Sequence, residues 1–274
     1  MVKRLMGRDT PVIPVVRLSG VIGAASPLRP GLSLQALADP LAKAFAIKAP
    51  AVAIVVNSPG GAPVQAHLIH DRIRQLADEN DREVIVVIED VGASGGYLIA
   101  CAGDTILAHP SSVVGSIGVV SAGFGFDKAI EKFGIERRVY TSGDRKVALD
   151  PFQPENPDDV KRLKALQKDV HQTFLTLVKT RRADRLNGSD RLLFSGEFWS
   201  GLKAHQLGLV DGLVDLRSFC RARFGDKVTL RLVNPPKKRL LSMLSPAGAA
   251  RIEALPEAAL ETLEERAHYA RFGL

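Results

Sequence analysis

The first stretch of this sequence that could do chemistry is a serine set among glycines. In Val91-Gly-Ala-Ser-Gly-Gly-Tyr97, Ser94 is flanked by Gly92, Gly95 and Gly96. A hydroxyl on so tight a turn can be presented as a nucleophile. Glycines tolerate positive φ and let a substrate backbone come close. A helix starting just behind the serine offers unpaired N–H groups to a developing oxyanion. The same residues also make an ordinary glycine-rich connection, and on this stretch alone the two readings stand level.

A nucleophilic serine needs a base. Gly92-Ala-Ser-Gly-Gly96 has the G-x-S-x-G form of a hydrolase elbow, which needs an acid and then a histidine downstream. His109 follows Ser94 too soon. His171 and His205 fall in predicted helical segments, and His268 falls in a predicted tail helix. None has the loop context of a triad histidine. A serine can instead be activated by an unprotonated lysine. A lysine amine ordinarily titrates near ~10.4, so such a base must be desolvated or placed beside positive charge. Lys146 is the best placed candidate, because it follows a predicted strand and a glycine turn. Val147, Ala148 and Leu149 could exclude water from it, and Arg145 is a positive neighbour. For an arbitrary lysine, a solvated loop side chain is the commoner state.

No metal or cofactor is expected. His67 and His70 are three residues apart on a predicted helix, but no third ligand accompanies them, and a solvated helix surface is the favoured reading. Cys101 and Cys220 have no metal-type spacing and cannot make a disulfide framework in so long a chain. Cys101 is expected to be a small core residue.

The elements that must position Ser94 are legible as alternating patterns. Val84–Ile88 is an apolar, β-branched run ahead of the serine and predicts a buried strand of a mostly parallel sheet. Val12–Leu18, with Pro14 favouring an edge or a strand start, Ala51–Val56 and Thr105–Ala108 predict further strands. Glu136–Thr141 and an edge strand at Val228–Val233 complete the set. Between them lie helices over Leu34–Ile47 with Ser33 as N-cap, Val64–Glu79, Lys128–Phe133, Val160 to about Leu186 and Leu216–Phe224. The long fourth helix is expected to be capped by Asp158 or Asp159, with a solvated basic outer face. The alternation predicts an α/β architecture. The expected domain limits are a tail over 1–11, a domain over 12–233, and over 234–274 a Pro/Lys-rich linker with an amphipathic helix at about Leu255–Phe272. That helix is expected to pack on the body or on a neighbouring subunit.

Composition narrows the partners. The chain has 274 residues, a net charge of +7 and only 5% aromatic residues. Its basic residues are scattered and lack an aromatic stacking platform, so no nucleic-acid partner is expected. An anionic membrane surface fits a weakly basic protein better, which makes peripheral membrane contact the alternative use of the tail helix. The first ten residues read as a poor secretory leader and no apolar run reaches the ~18 residues of a membrane span, so a cytoplasmic protein is expected.

From about Val12 to Val214 the sequence resembles the signal peptide peptidase A family, serine proteases with a Ser-Lys dyad. Five motifs match in order: Asn57-Ser-Pro-Gly-Gly61, Ala93-Ser-Gly-Gly-Tyr97, Gly115-Ser-Ile-Gly-Val119, Ser142-Gly-Asp-Arg-Lys146 and Ala204-His-Gln-Leu-Gly-Leu-Val-Asp211. The resemblance implies a ClpP/crotonase-like fold of repeated β-β-α units, with a mostly parallel sheet and a C-terminal helical extension. It implies Ser94 as nucleophile, Lys146 as general base, and Ser116 as the serine that orients the lysine amine. It also implies an oxyanion hole from the Gly60-Gly61 turn and the Gly95 N–H. A hydroxyl suits the orienting role, because a carboxylate there would hold the lysine protonated. The implied activity is an endopeptidase for apolar or unfolded peptides. Half-length members assemble as rings or domes, with serine and lysine from neighbouring subunits. One copy of each motif resembles that form, so a homo-oligomer is expected. Those enzymes usually carry an N-terminal membrane anchor, and none is expected here. The alternative is a non-proteolytic crotonase-like protein that binds acyl or peptide ligands through paired N–H groups.

Overall fold

Strands buried on both faces need β-branched runs without polar alternation, and this chain supplies several. The computed structural model describes residues 10–23, 31–143, 145–234, 263 and 266–274. It begins with Val12–Ser19 (β1), Leu34–Ala46 (α1), Ala51–Ser58 (β2), Pro63–Asn80 (α2) and Glu83–Ala93 (β3). Gly95–Ala100 (α3), Thr105–Ala108 (β4), Val113–Gly115 (β5), Asp127–Lys132 (α4) and Pro157–Arg182 (α5) come next. Asp190–Leu193 (α6), Phe198–Ser200 (β6), Gly201–Gln206 (α7), Leu216–Phe224 (α8) and Thr229–Leu232 (β7) complete the elements.

The sheet runs β6-β5-β3-β2-β1-β7, with β4 also on β3. Every pairing is parallel except β5 with β6. β3 is the pivot, because its first half pairs with β4 and its last three residues, Val91 to Ala93, pair with β5. On its other side the β2 register shifts between Val56 and Ser58. A bulge of this kind bends a strand and re-aims the residues after it. Here it sits directly before two turns, the one after β2 and the one carrying Ser94.

Alternate residues of the strands feed two cores. Leu18, Ile54, Val56, Val86 and Ile88 pack under α1, α2, α3 and α5, while Ile13, Ala53, Ile85 and Leu107 face Cys220 and Phe219 of α8. Ser33 caps α1 by accepting the Ala36 N–H at 3.3 Å. Cys101 is fully buried, and burial pushes its thiol up to about 12, so it is an inert core residue.

Of the two places open to Pro14, the strand start holds: β1 lies inside the sheet with β7 at its edge, and β1 pairs with β2 only from Val15 onward. Three expectations need correction. Glu136–Thr141 is not a strand, because its residues lie on the surface and pair with no strand among the described residues. α5 is capped by Asn156, which accepts the Asp158 N–H at 2.9 Å, while Asp159 turns inward to 8% exposure. The basic face of α5 is not simply solvated, since Arg182 is among the most deeply buried side chains. Most of the expected tail helix lies outside the described residues. Its end is helical over 266–270 and packs on the body: Phe272 buries against Val91 and Ala93, and the Tyr269 hydroxyl donates to the Asn57 carbonyl at 3.1 Å.

Candidate active site

β3 ends at Ala93 and hands the chain to Ser94 in a conformation that side chains seldom adopt, with φ 53° and ψ −123°. A non-glycine residue held there stores backbone strain of roughly 1–3 kcal/mol. Three contacts hold it. The Ser94 N–H donates to Gly115 O at 2.8 Å, its carbonyl accepts the Leu98 N–H at 3.0 Å, and α3 is sealed in the core behind it. Ser94 is partly exposed, and its hydroxyl has no hydrogen-bond partner among the described residues. As the first residue of α3, Gly95 has no carbonyl within the helix to receive its N–H.

The turn after β2 faces this serine. Gly60 and Gly61 have φ of +106° and +138°. Ile22 holds the turn from both sides, donating its N–H to Gly60 O at 2.8 Å and accepting the Ala62 N–H at 2.9 Å. The Asn57 amide fills the register shift: its Nδ2 donates to Asp90 at 2.8 Å, and its Oδ1 accepts the Val91 N–H at 3.2 Å. Gly96 is also dictated by close approach, since a Cβ there would lie 2.4 Å from Ser58 O. Gly60, Gly61, Ser94 and Gly95 are therefore brought together by two adjacent strand ends.

Ser116 comes directly after Gly115, whose carbonyl receives the Ser94 N–H. It has φ 52°, donates its own N–H to Glu197 O at 2.7 Å, and is 7% exposed. Lys146 is placed differently. It lies in an exposed bend, its N–H donating to Gly143 O at 3.2 Å, and its amine has no hydrogen-bond or ion-pair partner among the described residues. Val147 and Leu149 were expected to shield it, yet they are 38% and 41% exposed. Among the described residues of one chain, no hydrogen bond or ion pair joins Lys146 to Ser94 or Ser116, and its side chain is exposed.

The histidines do other work. His70 is buried rather than solvated, and burial lowers its pKa against the opposing hydrogen bond that its Nδ1 donates to Asp71 at 2.8 Å. His171 Nε2 lies 3.2 Å from Ile117 O and is the donor there, since a carbonyl can only accept. His67 lines a hollow beside Ser94 without bonding to it. Among the described residues, no group of three or more His, Cys, Asp or Glu side chains is placed to hold a metal ion.

Two features escaped the sequence reading. Phe174 and Leu98 wall the hollow beside Ser94; the apolar periodicity of α5 was the signal available for the first. Arg182 meets Asp211 of the fifth motif in a bidentate pair at 2.7 and 3.0 Å, and Asp211 also accepts the Ile106 N–H at 2.8 Å. An acidic residue closing the apolar run Leu209-Val210 was the hint.

Comparison with known proteins is consistent with this geometry. The sequence profile of peptidase family S49 matches residues 77–222. A Synechocystis sp. protein that carries a provisional protease name is 31% identical over 196 residues, covering 69% of this chain and 70% of that protein. The chloroplastic serine protease SPPA of Arabidopsis thaliana is 30% identical over 208 residues, 73% of this chain and 30% of that protein. A Brucella abortus protein named Na(+)/H(+) antiporter NhaA is 56% identical over 273 residues, 96% of this chain. The chain spans only 37% of that protein's length, so the name describes a much longer chain and says nothing of the matched part. Among the described residues here, no helix is long and apolar enough to cross a membrane.

Proposed function

Because the chain belongs to peptidase family S49, whose members are serine-type peptidases on a ClpP/crotonase-like fold, we propose that it cleaves peptide bonds with Ser94 as nucleophile and Lys146 as general base. The observation that carries the reading is the strained Ser94 turn, whose unpartnered hydroxyl is set against the Gly60-Gly61 turn.

In the proposed reaction, Ser94 Oγ attacks the scissile carbonyl carbon as its proton passes to the neutral Lys146 amine. The carbonyl oxygen gains the negative charge and is met by the N–H groups of Gly95 and of the Gly60-Gly61 turn. One such donor is worth about 10²–10³ in rate. When the intermediate collapses, the C–N bond breaks, and the leaving amine takes its proton from the Lys146 ammonium. Water, deprotonated by Lys146, then cleaves the Ser94 ester and releases the acid. Ser116, beside the strand end that receives the Ser94 N–H, orients the lysine amine. The substrates are apolar or unfolded peptides.

The exposure of Lys146 supports an oligomeric active site. A lysine base needs desolvation, which the described residues of one chain do not provide. The same segment displays Phe124, Phe133 and Tyr140 at 82%, 79% and 90% exposure, apolar area that a second copy of the chain would cover. Ser94→Ala and Lys146→Ala should each abolish cleavage of an apolar peptide. Mixing the two inactive proteins should restore activity if the dyad forms between subunits. Full activity in Lys146→Ala would contradict the assignment.

A further inference from the structure

Ser94, Gly95 and Gly61 open onto a hollow of about 20 Å³, walled by Leu98, Val119 and Phe174. On the peptidase reading above, this hollow receives a defined part of the substrate. Once the acyl carbon is bonded to Ser94 Oγ and its oxygen points at the oxyanion N–H groups, the side chain of the acyl residue begins two bonds away. It has to enter a space that touches both the serine and the oxyanion turns, as this hollow does.

The space is small. One water molecule needs roughly 10–15 Å³ of such space, so about one methyl group fits. The walls are also fixed. Leu98 and Phe174 are 2% and 5% exposed and belong to the main core, where packing transmits strain rather than yielding. Phe174 rides on α5, and α5 is pinned to the end of α3. Arg181 donates to Cys101 O at 2.8 Å and to Gly103 O at 3.1 Å, while Arg182 is locked to Asp211 and Gly208 O. Sliding α5 outward to widen the hollow would break all of these bonds.

We infer that the protein is selective for peptides whose attacked carbonyl belongs to an alanine-sized residue, and that Leu98, Val119 and Phe174 set this limit. Longer side chains clash with the walls.

The test uses the full-length protein and a set of quenched peptides identical except for Ala, Val, Leu or Phe at the acyl position. The expected result is a kcat/KM that falls at least tenfold from Ala to Leu, the discrimination typical of one or more methylenes in an apolar pocket. Leu98→Ala should raise the Leu peptide at least tenfold relative to the Ala peptide. Val119→Ala, at a half-exposed wall, does the same on a smaller scale and keeps the test alive should the core variant fail to fold. Equal cleavage of Ala, Leu and Phe peptides by the wild-type protein would overturn the inference while leaving the peptidase reading intact. Absence of cleavage of all four, together with no covalent labelling of Ser94, would overturn both.

Discussion

A Cβ on Gly60 would lie 2.7 Å from the Ser94 Cβ and 3.0 Å from the Gly95 backbone nitrogen. Real Cβ atoms essentially never come as close as the first of these distances, and the second is tighter than most real contacts. The two strand-end turns are therefore packed to the limit that a missing side chain allows. The serine and the N–H beside it share one narrow space with the Gly60-Gly61 turn.

Gly60→Ala should remove activity without unfolding the protein. The added methyl meets Ser94, and the φ of +106° strains any L side chain by roughly 1–3 kcal/mol. Relief has to come from moving one of the two turns, and a misplacement of about 1 Å costs on the order of 10²-fold in rate. Turnover measured beside a thermal melt checks this. A melt close to wild type with turnover down at least a hundredfold is the expected outcome.

The Arg182–Asp211 pair should govern stability and its acid limit. Arg182 is 1% exposed, and Asp211 is its carboxylate partner. Burial alone would raise the Asp211 pKa, but the hydrogen bonds from Arg182 and the Ile106 N–H, with the Arg182 charge, hold it below the ordinary carboxylate value. A depressed acid stabilises the fold above its unfolded pKa, near 3.9, and that contribution is lost as pH falls through the lower folded value. Asp211→Asn strands a buried guanidinium and should cost about 3 kcal/mol in urea unfolding at neutral pH. In the same variant, the part of the stability loss below pH 4 that belongs to this group should vanish.

The nucleophile region was legible because its signals are local. Glycine spacing and β-branched runs describe Asn57–Gly61 and Val84–Tyr97 without reference to the rest of the chain. The features that were not legible depend on distant partners. The sequence shows that Glu136–Thr141 favours strand, but a strand needs a neighbour and the fold provides none there. Arg182 sits at the end of a helix rich in charge, and only the Gly208–Asp211 stretch, packed against it in space, makes it a buried residue. The pairing of both β4 and β5 with one strand, β3, is likewise a product of packing. Val147 and Leu149 have the right composition to shield Lys146, yet side chains adjacent in sequence cannot by themselves exclude water from an exposed bend.

The most direct measurement is covalent trapping of the nucleophile. The wild-type protein is incubated with a fluorophosphonate, and the modified residue is located by peptide mass spectrometry. A Ser94–Lys146 dyad predicts one adduct, on Ser94, absent in Ser94→Ala and formed at least a hundredfold more slowly in Lys146→Ala. No adduct on Ser94 under conditions where peptides are cleaved, or unchanged labelling in Lys146→Ala, would contradict it.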